Sequence, residues 1–331
     1  MPKISVIVAA YNVEEYIERC LNSLVDQTMD DIEIIVVNDG SKDATLEKID
    51  QYTGDRRIKV IDKENCGLIE ARKSGLSVAE GEYVQFVDGD DWLKKDACEK
   101  LYNKASKENL DILWFNLCYA YEDGKTIDNE AKRFQLLKNE EYLDIVLKNE
   151  IRANAVLQMI RRRFIIHNNI EFPKDITYGE DLLITATLAC NKPRVGMIEK
   201  SLYFYFQRNG SITRTVNRKI FDVIKVISQI EEMLKEKKLM NDHKEQFEFL
   251  AYMHLYFYRI IEAQYIEEIH REIFNLWKDR GIHIKDNVYY QEFFRKQSYK
   301  TKIKIAAYDM SYCVGRGLTN CIYRIRKSKV G

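Results

Sequence analysis

The sequence has few of the residues that break a chain or cross-link it. Its 331 residues include only 3 Pro and 14 Gly, which excludes collagen-like and linker-rich proteins. The seven cysteines form no CxxC pair and no cluster with histidine at zinc-binding spacing. We therefore expect reduced thiols, placed in the core at Cys20, Cys118 and Cys190, and a cytoplasmic protein.

Long hydrophobic runs are also missing. No stretch reaches the ~18 apolar residues that a membrane-spanning helix needs, and the nearest candidate, 249–261, contains His254 and Arg259. The first residues, MPKISVIVAAYN, hold a strand-length apolar run without a signal-peptide cleavage pattern. The sequence predicts a soluble protein, or one attached peripherally to the inner face of the cell membrane.

Net charge is absent overall but not locally. The 52 basic and 52 acidic residues cancel, yet residues 295–331 hold ten Lys or Arg and one acid, Asp309. This basic tail mixes its cations with Ile, Ala, Tyr and Val, which suits an anionic membrane surface. A solvated terminus explains the tail equally well. Nucleic-acid binding is disfavoured because no nucleic-acid motif accompanies the charge.

The first third of the chain alternates between two hydrophobic patterns. Runs rich in β-branched residues predict strands at 4–10, 32–38, 57–62 and 82–88, and apolar residues at helical spacing lie between them. This alternation predicts βαβ units and a parallel sheet that binds ligands at the carboxyl ends of its strands. A strand at 112–121 continues the domain, and from about residue 140 the pattern becomes mostly helical.

Polar residues follow each predicted strand at its carboxyl end. They are Tyr11 and Asn12, the segment NDGS at 38–41, Asp62, and the acids Asp88, Asp90 and Asp91. The three acids fall within four positions, where like charges raise each other's proton affinity. Carboxylates suit Mg²⁺ or Mn²⁺, which usually also bind substrate phosphates. Alternatively, Asp88 simply ends the strand and a later acid caps the next helix.

Three further motifs each allow a structural and a functional interpretation. Asp39, in VNDGS, either forms a turn or accepts hydrogen bonds from a nucleobase. Arg72, in NCGLIEARKSG, either lies exposed on a helix or pairs with a diphosphate or a base carbonyl. Glu180 and Asp181 precede an apolar helix, where they are either simply stabilised by the helix dipole or present a general base.

The chain resembles family-2 glycosyltransferases of the GT-A fold in five motifs that occur in the expected order. They are VIVAAYN, VVNDGS, the Gly67–Arg72 segment, the stretch from Gly81 to Trp92 and Gly179-Glu180-Asp181. The likeness is close over about residues 1–120. It is thinner over 150–215, where SLYFYFQRNGSITR is similar to a tyrosine-rich segment of bacterial members.

The resemblance implies an α/β fold with a mostly parallel, Rossmann-like sheet flanked by helices and followed by a helical C-terminal region. We expect a nucleotide-sugar glycosyltransferase domain over 1–215, a helical domain over 216–294 and the basic tail over 295–331. The implied activity is inverting, metal-dependent transfer of a sugar from a nucleotide-diphosphate donor, such as a UDP-sugar. The implied acceptor is a hydroxyl of a saccharide or lipid-linked saccharide in surface polysaccharide biosynthesis.

The resemblance also implies a role for six residues. Tyr11 would stack on the nucleobase, Asp39 would form a hydrogen bond with it, and Arg72 would contact the base or the diphosphate. Asp88 would lie near the ribose and the metal, and Asp90 would bind Mn²⁺ or Mg²⁺. Asp181 would deprotonate the acceptor hydroxyl. Trp92 would either line the cleft or pack.

Four departures from the family pattern accompany the resemblance. Asn38 stands where many relatives have Asp, Gly89 where Ser is common, and Phe206 where Arg or His is frequent, and the segment 154–164 lacks a Trp. The departures at Phe206 and in the segment 154–164 concern the part of the site expected to bind the acceptor. Transfer to a polyprenyl phosphate and a non-catalytic nucleotide-sugar-binding protein are the alternatives. A dinucleotide oxidoreductase is disfavoured because no GxGxxG follows the first strand.

Overall fold

The computed structural model describes residues 1–129, 134, 136–138, 140–208, 218–261 and 267–327. The chain forms two compact units, the first made of Met1–Val146 with Glu150–Thr215 and the second of Leu147–Asn149 with Val216–Gly331. The first unit is α/β and contains one mixed sheet. The described part of the second unit is helical.

The first half of the sheet is parallel, as the alternating pattern predicts. Its strands run in the order β3-β2-β1-β4. Its elements are β1 (Ile4–Ala10), α1 (Ile17–Val25), β2 (Ile32–Asp39), α2 (Thr45–Asp50), β3 (Ile58–Lys63), α3 (Leu68–Ser77) and β4 (Tyr83–Asp88). Every residue of β1 and β2 is buried, which explains why these strands read as continuous apolar runs.

The second half of the sheet runs from β4 through β8, β6 and β9 to β5, and is antiparallel except for the β6–β9 pair. Its elements are β5 (Trp92–Leu93), α4 (Ala97–Lys107), β6 (Ile112–Tyr121), β7 (Thr126–Asp128), α5 (Glu141–Leu147), β8 (Gln158–Arg161), α6 (Arg162–His167), α7 (Glu180–Ala189) and β9 (Val195–Gln207). The mostly parallel α/β sheet is therefore confirmed, with an antiparallel extension.

The region after about residue 140 is mostly helical, as expected, but it also contains β8 and β9, which the sequence did not indicate. Strand β8 has four residues, too few to show an alternating pattern. Strand β9 is long, but its pairing with β6 shifts register around Asn116, next to the exposed residues Glu199 and Lys200. Such an irregularity breaks the two-residue period by which a strand is recognised.

The second unit is built around aromatic side chains. Tyr252 packs edge-on against Trp277 and Tyr290, with ring centroids 5.7 and 5.0 Å away. The elements are α8 (Asp222–Glu236), α9 (Lys244–Ala251), a π-helical segment (Tyr252–Ile261), α10 (Glu267–Asp279), α11 (Val288–Lys296), α12 (Tyr299–Met310) and α13 (Tyr312–Lys327). Much of the basic tail is thus folded, with Ile305 and Tyr308 buried. In the described ranges, no helix combines the length and apolarity needed to cross a bilayer.

Candidate active site

The register of the parallel strands brings the predicted site residues to one edge of the sheet. Ala9 lies opposite Val37 on one side and Asp88 on the other, so β1, β2 and β4 end at the same level. Tyr11 directly follows β1, and its side chain is 46% exposed. The next residue, Asn12, has a left-handed backbone (φ 49°) and its side-chain Oδ1 accepts a hydrogen bond from the Lys42 N–H. The loop after β2 therefore holds Tyr11 in place at an open edge.

Asp39 ends β2 and is buried among hydrogen-bond donors. Its carboxylate accepts hydrogen bonds from the Gly67 N–H at 2.7 Å, the Cys66 N–H at 3.0 Å and Lys63 Nζ at 2.8 Å. Gly67 has a φ of +90°, a conformation that side-chain-bearing residues rarely adopt. Asp39 thus fixes the loop that leads into α3. Because a carboxylate offers about four acceptor positions, capacity for one further donor is left.

Arg72 lies in α3 and bridges two carboxylates. Its guanidinium contacts Asp88 Oδ1 at 3.0 Å and Asp181 Oδ1 at 3.1 Å, and only 2% of its surface is exposed. Burial opposes the charged guanidinium, but the two carboxylates hold the pKa of Arg72 above its ordinary value. This pair of contacts joins the end of β4 to the start of α7.

Glu180 and Asp181 begin α7, after Gly179 in a left-handed conformation. Burial raises the pKa of Asp181, while the Arg72 guanidinium opposes that increase. Burial and the neighbouring Asp181 charge raise the pKa of Glu180 to about 7. Near neutral pH this pair of carboxyls can therefore accept a proton, which is the property a general base needs.

The three acids at the end of β4 have three different partners. Asp88 pairs with Arg72, and Asp90 Oδ2 pairs with Arg208 Nε at 2.9 Å. Asp91 is buried, and accepts hydrogen bonds from the Tyr203 hydroxyl at 2.6 Å and the Phe206 N–H at 2.8 Å. Asp91 therefore anchors β9 instead of facing the cleft.

The chemistry of Asp88 and Asp90 fits a divalent cation. Burial raises the pKa of Asp90, and so does the nearby Asp88 charge, so a bound cation would relieve a real repulsion. Nowhere in the described parts of the chain do three or more His, Cys, Asp or Glu side chains form a ready-made metal site. A Mg²⁺ or Mn²⁺ ion held by these acids would thus fill the rest of its coordination shell with diphosphate oxygens and water, as Mg²⁺ usually does.

Two arginines belong to this region although the motifs did not indicate them. Arg19, on α1, lies 3.9 Å from the Trp92 ring centroid and 4.1 Å from that of Phe206, and donates a hydrogen bond to the Asp90 carbonyl. Trp92 also stacks on Phe204 at 5.1 Å, so it packs. Arg208 follows β9 directly and belongs to the stretch SLYFYFQRNGSITR, which is the sequence signal that could have identified it.

The structure brings part of the predicted set into direct contact. Arg72, Asp88 and Asp181 form one ion-paired group, and Asp90 lies two residues from Asp88 in the chain. Tyr11 and Asp39 occupy the neighbouring strand ends. The ligand roles of all six residues stay predictions. The sheet and the acids at its parallel edge are the arrangement of a GT-A glycosyltransferase.

Comparisons with known proteins define the family. Residues 5–168 match the model of glycosyl transferase family 2. The putative glycosyltransferase EpsH of Bacillus subtilis is 32% identical over 259 residues, which cover 76% of this chain and 75% of EpsH. The chain belongs to glycosyltransferase family 2.

A poly(ribitol-phosphate) glycosyltransferase is similar in both sequence and fold. The poly(ribitol-phosphate) beta-N-acetylglucosaminyltransferase TarS of Staphylococcus aureus is 29% identical over 253 residues, which cover 74% of this chain but 43% of TarS. The crystal structure of S. aureus TarS 1-349 in complex with UDP-GlcNAc matches with a TM-score of 0.69 at 24% identity, over 83% of this chain and 80% of that one. This second match confirms the GT-A fold.

Proposed function

We propose that the protein transfers a sugar from a UDP-sugar to a hydroxyl of a saccharide or lipid-linked saccharide during surface polysaccharide synthesis. The observation that carries this proposal is the ion-paired group of Arg72, Asp88 and Asp181, which places the predicted base beside a predicted donor-binding acid. The likeness to TarS, a poly(ribitol-phosphate) beta-N-acetylglucosaminyltransferase whose structure is known in complex with UDP-GlcNAc, supports this donor class and a polymer acceptor.

On the donor side, the exposed Tyr11 ring would stack on the base and Asp39 would accept a hydrogen bond from its edge. Asp90 would hold Mn²⁺ or Mg²⁺, with Asp88 beside it. The metal would supply positive charge next to the diphosphate leaving group. Arg208 already lies at Asp90, so its guanidinium is placed to bind the same diphosphate.

On the acceptor side, Asp181 would remove the proton of the incoming hydroxyl. Its partial burial raises its proton affinity, and its ion pair with Arg72 keeps the carboxylate from being protonated too readily. The hydroxyl would attack the anomeric carbon opposite the diphosphate through an oxocarbenium-like transition state. A single displacement of this kind inverts the anomeric centre.

A panel of UDP- and GDP-sugars, assayed with Mn²⁺ and with EDTA, tests this proposal. We expect metal-dependent release of nucleoside diphosphate by the unaltered protein. Asp181→Asn should lower that rate by about 10²-fold or more while UDP still raises the melting temperature, whereas Asp90→Ala should also weaken UDP binding in Mn²⁺. Asp30→Asn, a change at an exposed acid, is the matched control. Equal rates in all four proteins would contradict the catalytic assignment.

A further inference from the structure

Helix α12 in the second unit has an apolar stripe that faces solvent. Tyr299, Ile303, Ala306 and Met310 are spaced by four, three and four residues, which places them on one side of the helix. Tyr299 is 79% exposed, Ile303 39% and Met310 77%. A different side of α12 packs against the core, and Tyr308 is buried there. A surface helix normally has one apolar face, directed at the core, so this second one requires an explanation.

A groove continues the stripe toward α11. It has a volume of about 780 Å³, and two stripe residues, Ala306 and Met310, lie in its wall. Tyr290, Phe294 and Ile305 supply the rest of its apolar lining, while its polar lining is Lys285, Gln291, Arg295 and Asp309. We call the stripe and this groove together the α12 surface.

Cations border the α12 surface. At 100° per residue, Lys300 and Lys302 fall on opposite sides of the stripe. Lys302 Nζ donates to the Arg295 carbonyl and lies 5.6 Å from the Phe294 ring centroid, which holds its charge at the groove. The acid of this segment, Asp309, is paired with Lys285 at 3.1 Å. The border of the apolar surface is therefore positive.

We infer that the α12 surface binds an anionic phospholipid bilayer. An apolar stripe bordered by lysines is the pattern of a helix that lies in the plane of a membrane interface. The stripe would enter the boundary between headgroups and acyl chains, the groove would accept part of an acyl chain, and Lys300 and Lys302 would contact lipid phosphates. Lysines suit this position because their alkyl stems lie along apolar surface while the ammonium stays in water.

Charge complementarity favours a bilayer over a second copy of the chain. A second copy would bring the same positive border against this one, which is repulsive. An anionic leaflet attracts each such lysine. The inference does not depend on glycosyl transfer, and its test needs no sugar donor.

Co-sedimentation of the full chain with vesicles tests the inference. We expect binding to vesicles that contain phosphatidylglycerol, weaker binding to pure phosphatidylcholine, and weaker binding as salt is added. Lys300→Gln with Lys302→Gln should weaken partitioning by about twenty-five-fold, or about fivefold per lysine. Ile303→Ser with Met310→Ser should weaken it while leaving the salt dependence in place.

Two control variants carry the same chemical changes elsewhere. Ile166→Ser alters an exposed isoleucine of the first unit, and Lys237→Gln with Lys238→Gln removes two exposed lysines after α8. Both should partition as the unaltered protein does, with unchanged melting temperatures. Binding that ignores lipid charge, or α12-surface variants that bind normally, would overturn the inference. So would self-association in light scattering that the Ile303→Ser, Met310→Ser variant abolishes, because the occupant would then be a second copy.

Discussion

Replacing Arg72 with methionine removes the cation that two carboxylates share. Asp88 and Asp181 each contact one nitrogen of its guanidinium, and both side chains are 27% exposed. Removing one partner of a buried ion pair typically costs about 3–5 kcal/mol. Because both acids retain some contact with water, we expect the lower end, about 3 kcal/mol of unfolding free energy near pH 8.

This loss should depend on pH in a definite direction. Burial already raises the pKa of Asp181 and Arg72 counteracts it, so removing Arg72 lets that pKa rise further. The folded variant then binds more protons than the unfolded chain, and its stability falls as pH rises. Arg72→Met should consequently lose less stability relative to the unaltered protein at pH 5.5 than at pH 8.

Urea unfolding followed by tryptophan fluorescence measures this effect, since Trp92 and Trp114 report on the first unit and Trp277 reports on the second. Arg218→Met is the control, because its exposed pair with Glu272 at 3.5 Å should contribute about 0–1 kcal/mol. Equal destabilisation by Arg72→Met at both pH values would refute the reasoning. A loss no larger than that of Arg218→Met would refute it too.

Three more substitutions separate binding from stability. Tyr11→Ala should leave the melting temperature unchanged and weaken UDP binding in calorimetry by about 1–3 kcal/mol, the usual worth of a base–aromatic stack; unchanged affinity would exclude stacking. Asp39→Asn should cost about 1–3 kcal/mol of unfolding free energy through its contacts with Cys66 and Gly67, and also affinity for UDP; full stability would contradict the first part. Tyr203→Phe should cost about 1–3 kcal/mol in urea unfolding by depriving Asp91 of a donor, and no loss would contradict that role.

The parallel half of the fold follows from the sequence because three of its four strands, β1, β2 and β4, are buried almost throughout. The apolar run predicted at 4–10 coincides with β1, and the run predicted at 32–38 matches β2 to within one residue. Their length and β-branched content are local properties, so they can be read without knowing the neighbours. Strand β8 depends on its neighbours instead, because four residues become a strand only through pairing with β4 and β6.

The edge that carries the site could be predicted for the same reason, but its contacts could not. Parallel strands that end at one level bring Asp39 and Asp88 to a common edge wherever the strands are correctly placed. The contact between Arg72 and Asp181 joins residues 109 positions apart, and depends on how α7 packs in the folded unit. The sequence predicts Arg72 as a cation that is either exposed or in contact with a ligand. Nothing in the residues around Arg72 indicates that it is buried between two acids.

Three acids within four positions are tolerated because each has a different partner. Asp88 is held by α3 through Arg72, and Asp91 by β9 through a hydroxyl and a backbone N–H. Burial and the charges of the other two acids hold the pKa of Asp91 well above its ordinary value. Asp91 therefore depends most on its two hydrogen-bond donors, and is the acid least able to exchange them for another partner. The ion pair of Asp90 with Arg208, in contrast, lies where β9 ends, and the Arg208 side chain is itself partly exposed. In the proposed donor complex, a cation would replace Arg208 at Asp90 and the Arg208 guanidinium would bind a phosphate, and among the three acids this exchange would be easiest at Asp90.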